Sequence, residues 1–333
     1  MQRNPSYVFW ILILSQTFVN KAEDARFDTS KVCSELQGEN VRTSKVQLND
    51  GRAIPRLGFG TVEMKPGAET YGAVYQALNA GYRHIDTAQI YGNEADVGKA
   101  VKASGIPRQK IWVTSKLWPD YKYDTDLIIR SGKINNKSPK GYQSARMKAL
   151  WSVNVTGLEY LDLFLINSPA DPDFRVGAWL ALQDLKKEGI LRSIGVSNYG
   201  KHHLEELIQD PRVTVLPAVN QIELHPWKQR KDLVTFCAAH RIAVQAHSPL
   251  AKARELTDPI LNEVASEVRH TPAQVLIRWS LQQGLIPIPK SVIPSRIAEN
   301  SKVFDFKLEG EQLARLGDLE SFMSITWDPT GDP

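Results

Sequence analysis

Residues 69–86 read ETYGAVYQALNAGYRHID. In Glu69–Ala80 the residues Tyr71, Val74, Tyr75 and Leu78 fall on one face at helical spacing. Arg83–Asp86 then forms a short apolar run that closes on a carboxylate. Outward from this unit the same alternation recurs along the chain. Candidate strands are Leu57–Gly60, Arg83–Asp86, Ile111–Ser115, Leu161–Ile166, Ser193–Val196, Val219–Leu224, Ala243–Ala246 and Ile286–Pro289. Such short apolar runs suit a parallel sheet buried on both faces. Further helices are expected at Trp179–Glu188, which carries Leu182 and Leu185, and at Pro272–Gln283. The latter has Thr271 and Pro272 at its start and Gly284 past its end, the usual asymmetry of caps. Eight strand–helix alternations argue for a closed α/β barrel, a (β/α)8 TIM barrel, rather than an open doubly wound sheet. No G-x-G-x-x-G follows an early strand, which weakens a Rossmann reading.

Before the barrel, Val46 and Leu48 alternate with polar residues and Asn49-Asp50-Gly51 is a strong turn signal, so a β-hairpin is expected over 45–55. Residues 26–43 are polar and aperiodic and read as a linker. Residues 1–25 differ: Arg3 precedes the apolar run Tyr7–Leu14, and the small residues Ala22 and Ala25 follow. This is the pattern of a secretory signal peptide, with an apolar run too short for a comfortable membrane span. A start codon assigned too far upstream would produce the same string. Residues 44–333 then form one barrel domain, ending in extra helices and a tail. About 43 residues separate Leu117 from Leu161, whereas a crossover needs on the order of 12 to 25. Residues 124–140 show no helical face and read as an insertion in a barrel loop, either a lid or a plain flexible segment.

Composition narrows the function classes. The net charge is only +4 and its Lys and Arg are scattered. A nucleic-acid binder would show a basic stripe with interleaved aromatics, so no nucleic-acid partner is expected. Two cysteines, Cys33 and Cys237, can build neither a disulfide framework nor a zinc cluster; no metal site is expected and Cys237 reads as a buried, inert thiol. Asn136 and Asn154 lie in N-x-S/T sequons, which matter only on the secretory route.

In such a barrel the active site lies at the C-terminal ends of the strands. There the chain places Asp86, then Tyr91 in the following loop, Lys116 and Asn167. Taken singly, Asp86 and Lys116 could be a structural ion pair and Tyr91 a loop aromatic. The strings GFGT, HIDTAQIYGNEADVG, TSKLW, IGVSNY, NQIELHP and IPKSV, in this order, resemble the aldo-keto reductases over residues 44 to about 320. The resemblance implies that Tyr91 is the general acid, with Lys116 and Asp86 its partners. A hydride reaching a carbonyl carbon leaves charge on the oxygen, which must take up a proton. A free tyrosine keeps its proton at neutral pH and can donate it, and a nearby ammonium is expected to lower its pKa and strengthen the donor.

By the same resemblance Asn167 stands where the family usually has His. An amide can donate to a carbonyl oxygen but cannot exchange a proton as imidazole does. The family's potassium-channel β-subunits are similar in having Asn at this place together with a regulatory role. The resemblance further implies an NADP(H) site. Ser197, Asn198 and Gln221 would hold the nicotinamide carboxamide, and His247 would stack on the ring where the family usually has Tyr. Ser248 and Leu250 would line the pyrophosphate path. Lys290, Ser291 and Arg296 would take the adenosine 2′-phosphate, and Glu299 and Asn300 the adenine. Two cations and a hydroxyl in one turn favour NADPH over NADH. Alternatively Lys290 and Arg296 belong to a solvated loop and helix start.

Trp118 and Trp327 are the aromatic candidates for the substrate pocket, although Trp327 could equally be a packed tail residue. The loops after strands four and seven read as short, so a shallow pocket is expected. The function expected is NADPH-dependent reduction of an aldehyde or ketone to an alcohol. Its rival is a weakly active or inactive NADP(H)-binding regulatory or redox-sensing protein. A third reading, binding without a cofactor, fits poorly with nearly complete cofactor motifs. A monomer with a small-molecule carbonyl substrate and no stable membrane span is expected. Family resemblance implies the cytoplasm; a working signal peptide would instead direct the chain to the secretory pathway.

Overall fold

The computed structural model describes residues 36, 38–119, 139–169 and 171–333. The signal-like segment, Cys33, Asn136 and all but the last two residues of the 124–140 insertion lie outside them.

Ten strands are present among the described residues. β1 (Lys45–Gln47) and β2 (Ala53–Pro55) pair antiparallel as the expected hairpin, with Val46 opposite Ile54. The other eight form one all-parallel sheet in sequential order. They are β3 (Phe59–Gly60), β4 (His84–Asp86), β5 (Trp112–Leu117), β6 (Leu161–Ile166), β7 (Leu191–Ser197), β8 (Val219–Glu223), β9 (Ala243–His247) and β10 (Ile286–Pro287). Gly58 N donates to the Pro287 carbonyl and Gly60 N to the Pro289 carbonyl, both at 3.0 Å, joining the two edge strands and closing the ring. The expected eighth strand stops at Pro287 rather than Pro289, because proline has no N–H for the ladder.

Helices alternate with the strands: α1 (Ala68–Asn79), α2 (Glu94–Ala103), α3 (Tyr142–Thr156), α4 (Pro172–Lys187), α5 (Lys201–Gln209), α6 (Lys231–Ala239), α7 (Pro259–Val268), α8 (Pro272–Gln282), α9 (Pro294–Asn300) and α10 (Gly310–Gly317). Helix α4 begins earlier than the apolar pattern suggested, at Pro172, because the Asp171 carboxylate caps the Asp173 N–H. In α8, Thr271 and Gln274 form a reciprocal capping box. The buried face of α1 is Thr70, Ala73, Val74, Ala77 and Leu78, a rotation from the expected face. Tyr71 and Tyr75 instead stack on each other at its edge. The linker reading of 26–43 also needs correction at its end, since Leu36 is buried in the main core. Cys237 is buried and free, and burial pushes its thiol pKa up to about 12.

Side chains alternate along each strand. The outward positions pack against the helices in the main core. The inward ones change character along the barrel axis. At the N-terminal end Trp112, Leu163, Leu165, Val219 and Ile286 form an apolar floor, covered by Leu48 and Ile54 of the hairpin. At the C-terminal end the inward positions are polar, and there the site is built. No helix of the described residues is long and apolar enough to cross a membrane.

Candidate active site

A cavity of about 390 Å³ opens at the C-terminal ends of the strands. Its lining includes Asp86, Tyr91, Lys116, Asn167, Ser197, Asn198, Gln221, His247, Ser248 and Trp327. The chain thus brings together residues from six strands and the tail.

The period of two along β5 carries Lys116 inward, two residues above Thr114, where its side chain is 1% exposed. Its ammonium donates to Asp86 Oδ1, to the Thr87 carbonyl at 2.9 Å and to the Tyr91 hydroxyl at 3.4 Å. It also lies 5.0 Å from the centre of the Tyr91 ring. Tyr91 itself ends a single 3-10 turn, Gln89–Tyr91, closed by Gly92 at φ 67°. Asn93 fixes this loop: its amide donates to the Thr61 carbonyl and accepts from the Thr87 hydroxyl.

The electrostatics differ from the expectation in one respect. Burial pushes the Tyr91 pKa up and outweighs the Lys116 ammonium, which pulls it down. The phenol therefore keeps its proton firmly, as a donor must, but is not made more acidic in this environment. Burial would lower Lys116, yet attraction to Asp86 and Tyr91 raises it, so the ammonium remains charged.

Around this cluster the polar groups satisfy one another. Asn198, at φ 59°, donates to the Asn167 carbonyl at 3.0 Å, and its oxygen lies 3.1 Å from His247 Nε2. The Ser197 hydroxyl donates to the Gln221 carbonyl at 2.8 Å. Burial pushes the His247 pKa down to about 3, with Glu223 opposing, so the ring is neutral and flat.

The remaining expected residues lie outside the cavity lining. Trp118 packs on Trp327 with ring centres 6.3 Å apart, and Trp327 is 59% exposed. Leu250 precedes the turn Ala251–Ala253. Lys290 and Ser291 follow β10 and are partly exposed, and Arg296 lies exposed on α9. The positive charge of Lys290 is felt by Glu63 at the cavity wall. Glu299 accepts from the Thr271 hydroxyl at 2.8 Å and Asn300 is buried.

Sequence reasoning missed several wall residues. Glu63 and Lys252 form an ion pair of 2.7 Å and both line the cavity. Lys252 sits in the Ser248–Asp258 loop after β9, which is longer than the short loop expected and helps wall the pocket. Glu63, Asn198, Ser248 and Lys252 all adopt positive φ without being glycine. No glycine in the sequence signalled these four turns. Ile90, Ile325 and Thr326 complete the wall. Glu223 holds the tail there, accepting from the Ile325 N–H at 2.6 Å and the Thr326 hydroxyl at 2.9 Å.

A closed parallel barrel with a Tyr–Lys–Asp cluster at the strand ends defines the class. The chain belongs to the aldo/keto reductase family, whose model matches residues 56–320. It is 41% identical over 293 residues to a 9,11-endoperoxide prostaglandin H2 reductase of Trypanosoma cruzi, covering 87% of this chain and 96% of that protein. It is 39% identical over 287 residues to the methylglyoxal reductase DkgA of Escherichia coli, covering 85% and 96%. Among solved structures, an aldo/keto reductase from Brucella melitensis superposes with a TM-score of 0.74 at 42% identity, covering 83% of this chain and 99% of that one.

Proposed function

We propose that this protein reduces an aldehyde or ketone to an alcohol with NADPH, Tyr91 acting as general acid. The observation that carries the reading is the convergence of the Tyr91 hydroxyl, the Lys116 ammonium and Asp86 in one cavity. Relatives named as reductases support the same class of reaction.

The residues fit the cofactor. Ser197, Asn198 and Gln221 offer amide and hydroxyl groups at the strand ends, and His247 offers a neutral ring. Arg296 lies exposed on α9 and is available to a phosphate dianion. When bound, NADPH supplies the hydride. The Tyr91 hydroxyl delivers its proton to the carbonyl oxygen. Lys116 stabilises the phenolate left behind, and Asp86 holds that ammonium in place. The Asn167 amide can donate a further hydrogen bond to the same oxygen.

NADPH oxidation with a panel of aldehydes, run on wild type and Tyr91→Phe, tests the proposal: turnover in wild type that disappears in the variant supports it. Asn167 at the cavity wall favours one second reading, a cofactor-binding regulatory protein. Tight NADPH binding without turnover, with activity appearing in Asn167→His, would select it.

A further inference from the structure

Below the catalytic cluster a line of buried polar side chains runs down the inside of the barrel. Gln221 Nε2 lies 2.7 Å from Asp86 Oδ2 and 2.7 Å from Gln245 Oε1. Gln245 Nε2 lies 3.2 Å from His84 Nε2, which is 3.1 Å from the Thr114 hydroxyl. The Trp112 indole N–H donates to that hydroxyl at 3.2 Å. His84, Thr114 and Gln245 are fully buried and take no part in the mechanism above.

The direction of every bond in this line follows from one end. A carboxylate only accepts, so Gln221 must turn its NH2 group to Asp86. The second N–H of that group then needs an acceptor, and Gln245 must present its oxygen. Gln245 is thereby forced to point its own NH2 at His84 Nε2, which must accept. The ring therefore carries its proton on Nδ1. A protonated His84 could not accept, and burial keeps it neutral by pushing its pKa down to about 3. Gly58 leaves the ring room: a Cβ there would meet Nδ1 at 2.8 Å. With both N–H groups of Gln221 committed, Oε1 is the side-chain atom it has left to offer the cavity.

We infer that Gln245 and His84 are positioning residues that give the Gln221 amide a second fixed point beside its bond to Asp86. Through it they steady Asp86 and present a hydrogen-bond acceptor to the amide NH2 of the nicotinamide. This rests on the cofactor reading above. A cofactor whose carboxamide is replaced by an acetyl group has no NH2 to donate to Gln221 Oε1. Wild type should therefore prefer NADP+ over its 3-acetylpyridine analogue by about 5- to 10-fold, the effect of one hydrogen bond.

The test is calorimetric binding of these two cofactors to wild type, Gln245→Met and Gln245→Glu, with 2′,5′-ADP as a control for an intact site. Methionine removes the second acceptor and leaves the Gln221 amide to pivot about its remaining bond to Asp86, so the preference should fall towards onefold while 2′,5′-ADP binding is kept. Glutamate retains an acceptor for Gln221 and should retain the preference. A wild-type preference preserved in Gln245→Met overturns the assignment, as does its loss in a Gln245→Glu protein that still binds 2′,5′-ADP. Binding of NADP+ by wild type without any preference over the analogue overturns it too, leaving the cofactor reading intact. Failure of wild type to bind NADP+ or 2′,5′-ADP would instead remove the cofactor reading itself.

Discussion

At the N-terminal end of the barrel, Leu48 and Ile54 close over Trp112, Leu163 and Val219, an apolar layer. At the other end of the barrel, Asp86, Lys116, Asn167 and His247 line the cavity instead. The first layer owes its stability to removing surface from water, and any set of well-packed apolar side chains could replace it. The second is tolerable only because its charges hold each other: Lys116 and Asp86 are both buried, and neither could be left alone. One end contributes stability that is independent of chemistry, and the other holds chemistry at a cost in stability.

Several experiments can break this contrast. The largest effect is expected from Tyr91→Phe. Loss of the proposed general acid should lower turnover by about 100- to 10,000-fold in the NADPH oxidation assay, with the melting temperature unchanged. Next, Lys116→Met leaves the Asp86 carboxylate buried without its cation. Urea denaturation should show a loss of about 3–5 kcal/mol, alongside the loss of activity. The floor should behave in the opposite way. Ile54→Ala should lose about 2–5 kcal/mol in the same denaturation experiment while KM per folded molecule stays at its wild-type value. A smaller effect is expected from Arg296→Ala, which should weaken NADPH binding by about 10- to 100-fold in a fluorescence titration and leave NADH binding unaltered.

The smallest effect sharpens the contrast through pH. Burial would raise Glu223, but hydrogen bonds from His225, the Ile325 N–H and Thr326 outweigh it and bring its pKa down to about 2. A carboxylate depressed on folding contributes stability above its unfolded pKa, 4.5, and loses it as the pH falls towards 2. The tail should therefore stay anchored at neutral pH and loosen below about 4.5, read from Trp327 fluorescence. In Glu223→Gln this acid-dependent change should be smaller, the remainder coming from Asp328, whose carboxylate is held, against burial, below its ordinary range by hydrogen bonds from Lys228, Thr330 and Arg230.

Much of this was legible beforehand because it is local. The alternation of apolar runs marks eight strands, and polar residues near their C-terminal ends line the cavity. Asp86, Lys116 and Asn167 were found at strand ends in that way, whereas Ser197, Gln221 and His247 came from the resemblance to a known family. The Thr–Pro start of α8 likewise follows from caps written in adjacent residues. The misreadings arose where the deciding contact was distant or the backbone unusual. Helix α1 rolled to bury its small residues and left two tyrosines at its edge. The pKa of Tyr91 rose because the depth of burial, which has no signature in sequence, exceeded the pull of its neighbouring ammonium.

Strand and helix spacing, the caps, the hairpin turn and the kinds of chemistry at the strand ends were all determined by the amino-acid sequence alone, since each depends on neighbours a few residues apart. Which side chain meets which was decided only in the closed barrel. Glu63 finds Lys252 across 189 residues of chain, and Gln221 finds Asp86 across 135. Ring closure brings these groups to hydrogen-bonding distance, and no periodicity along the chain encodes such a meeting.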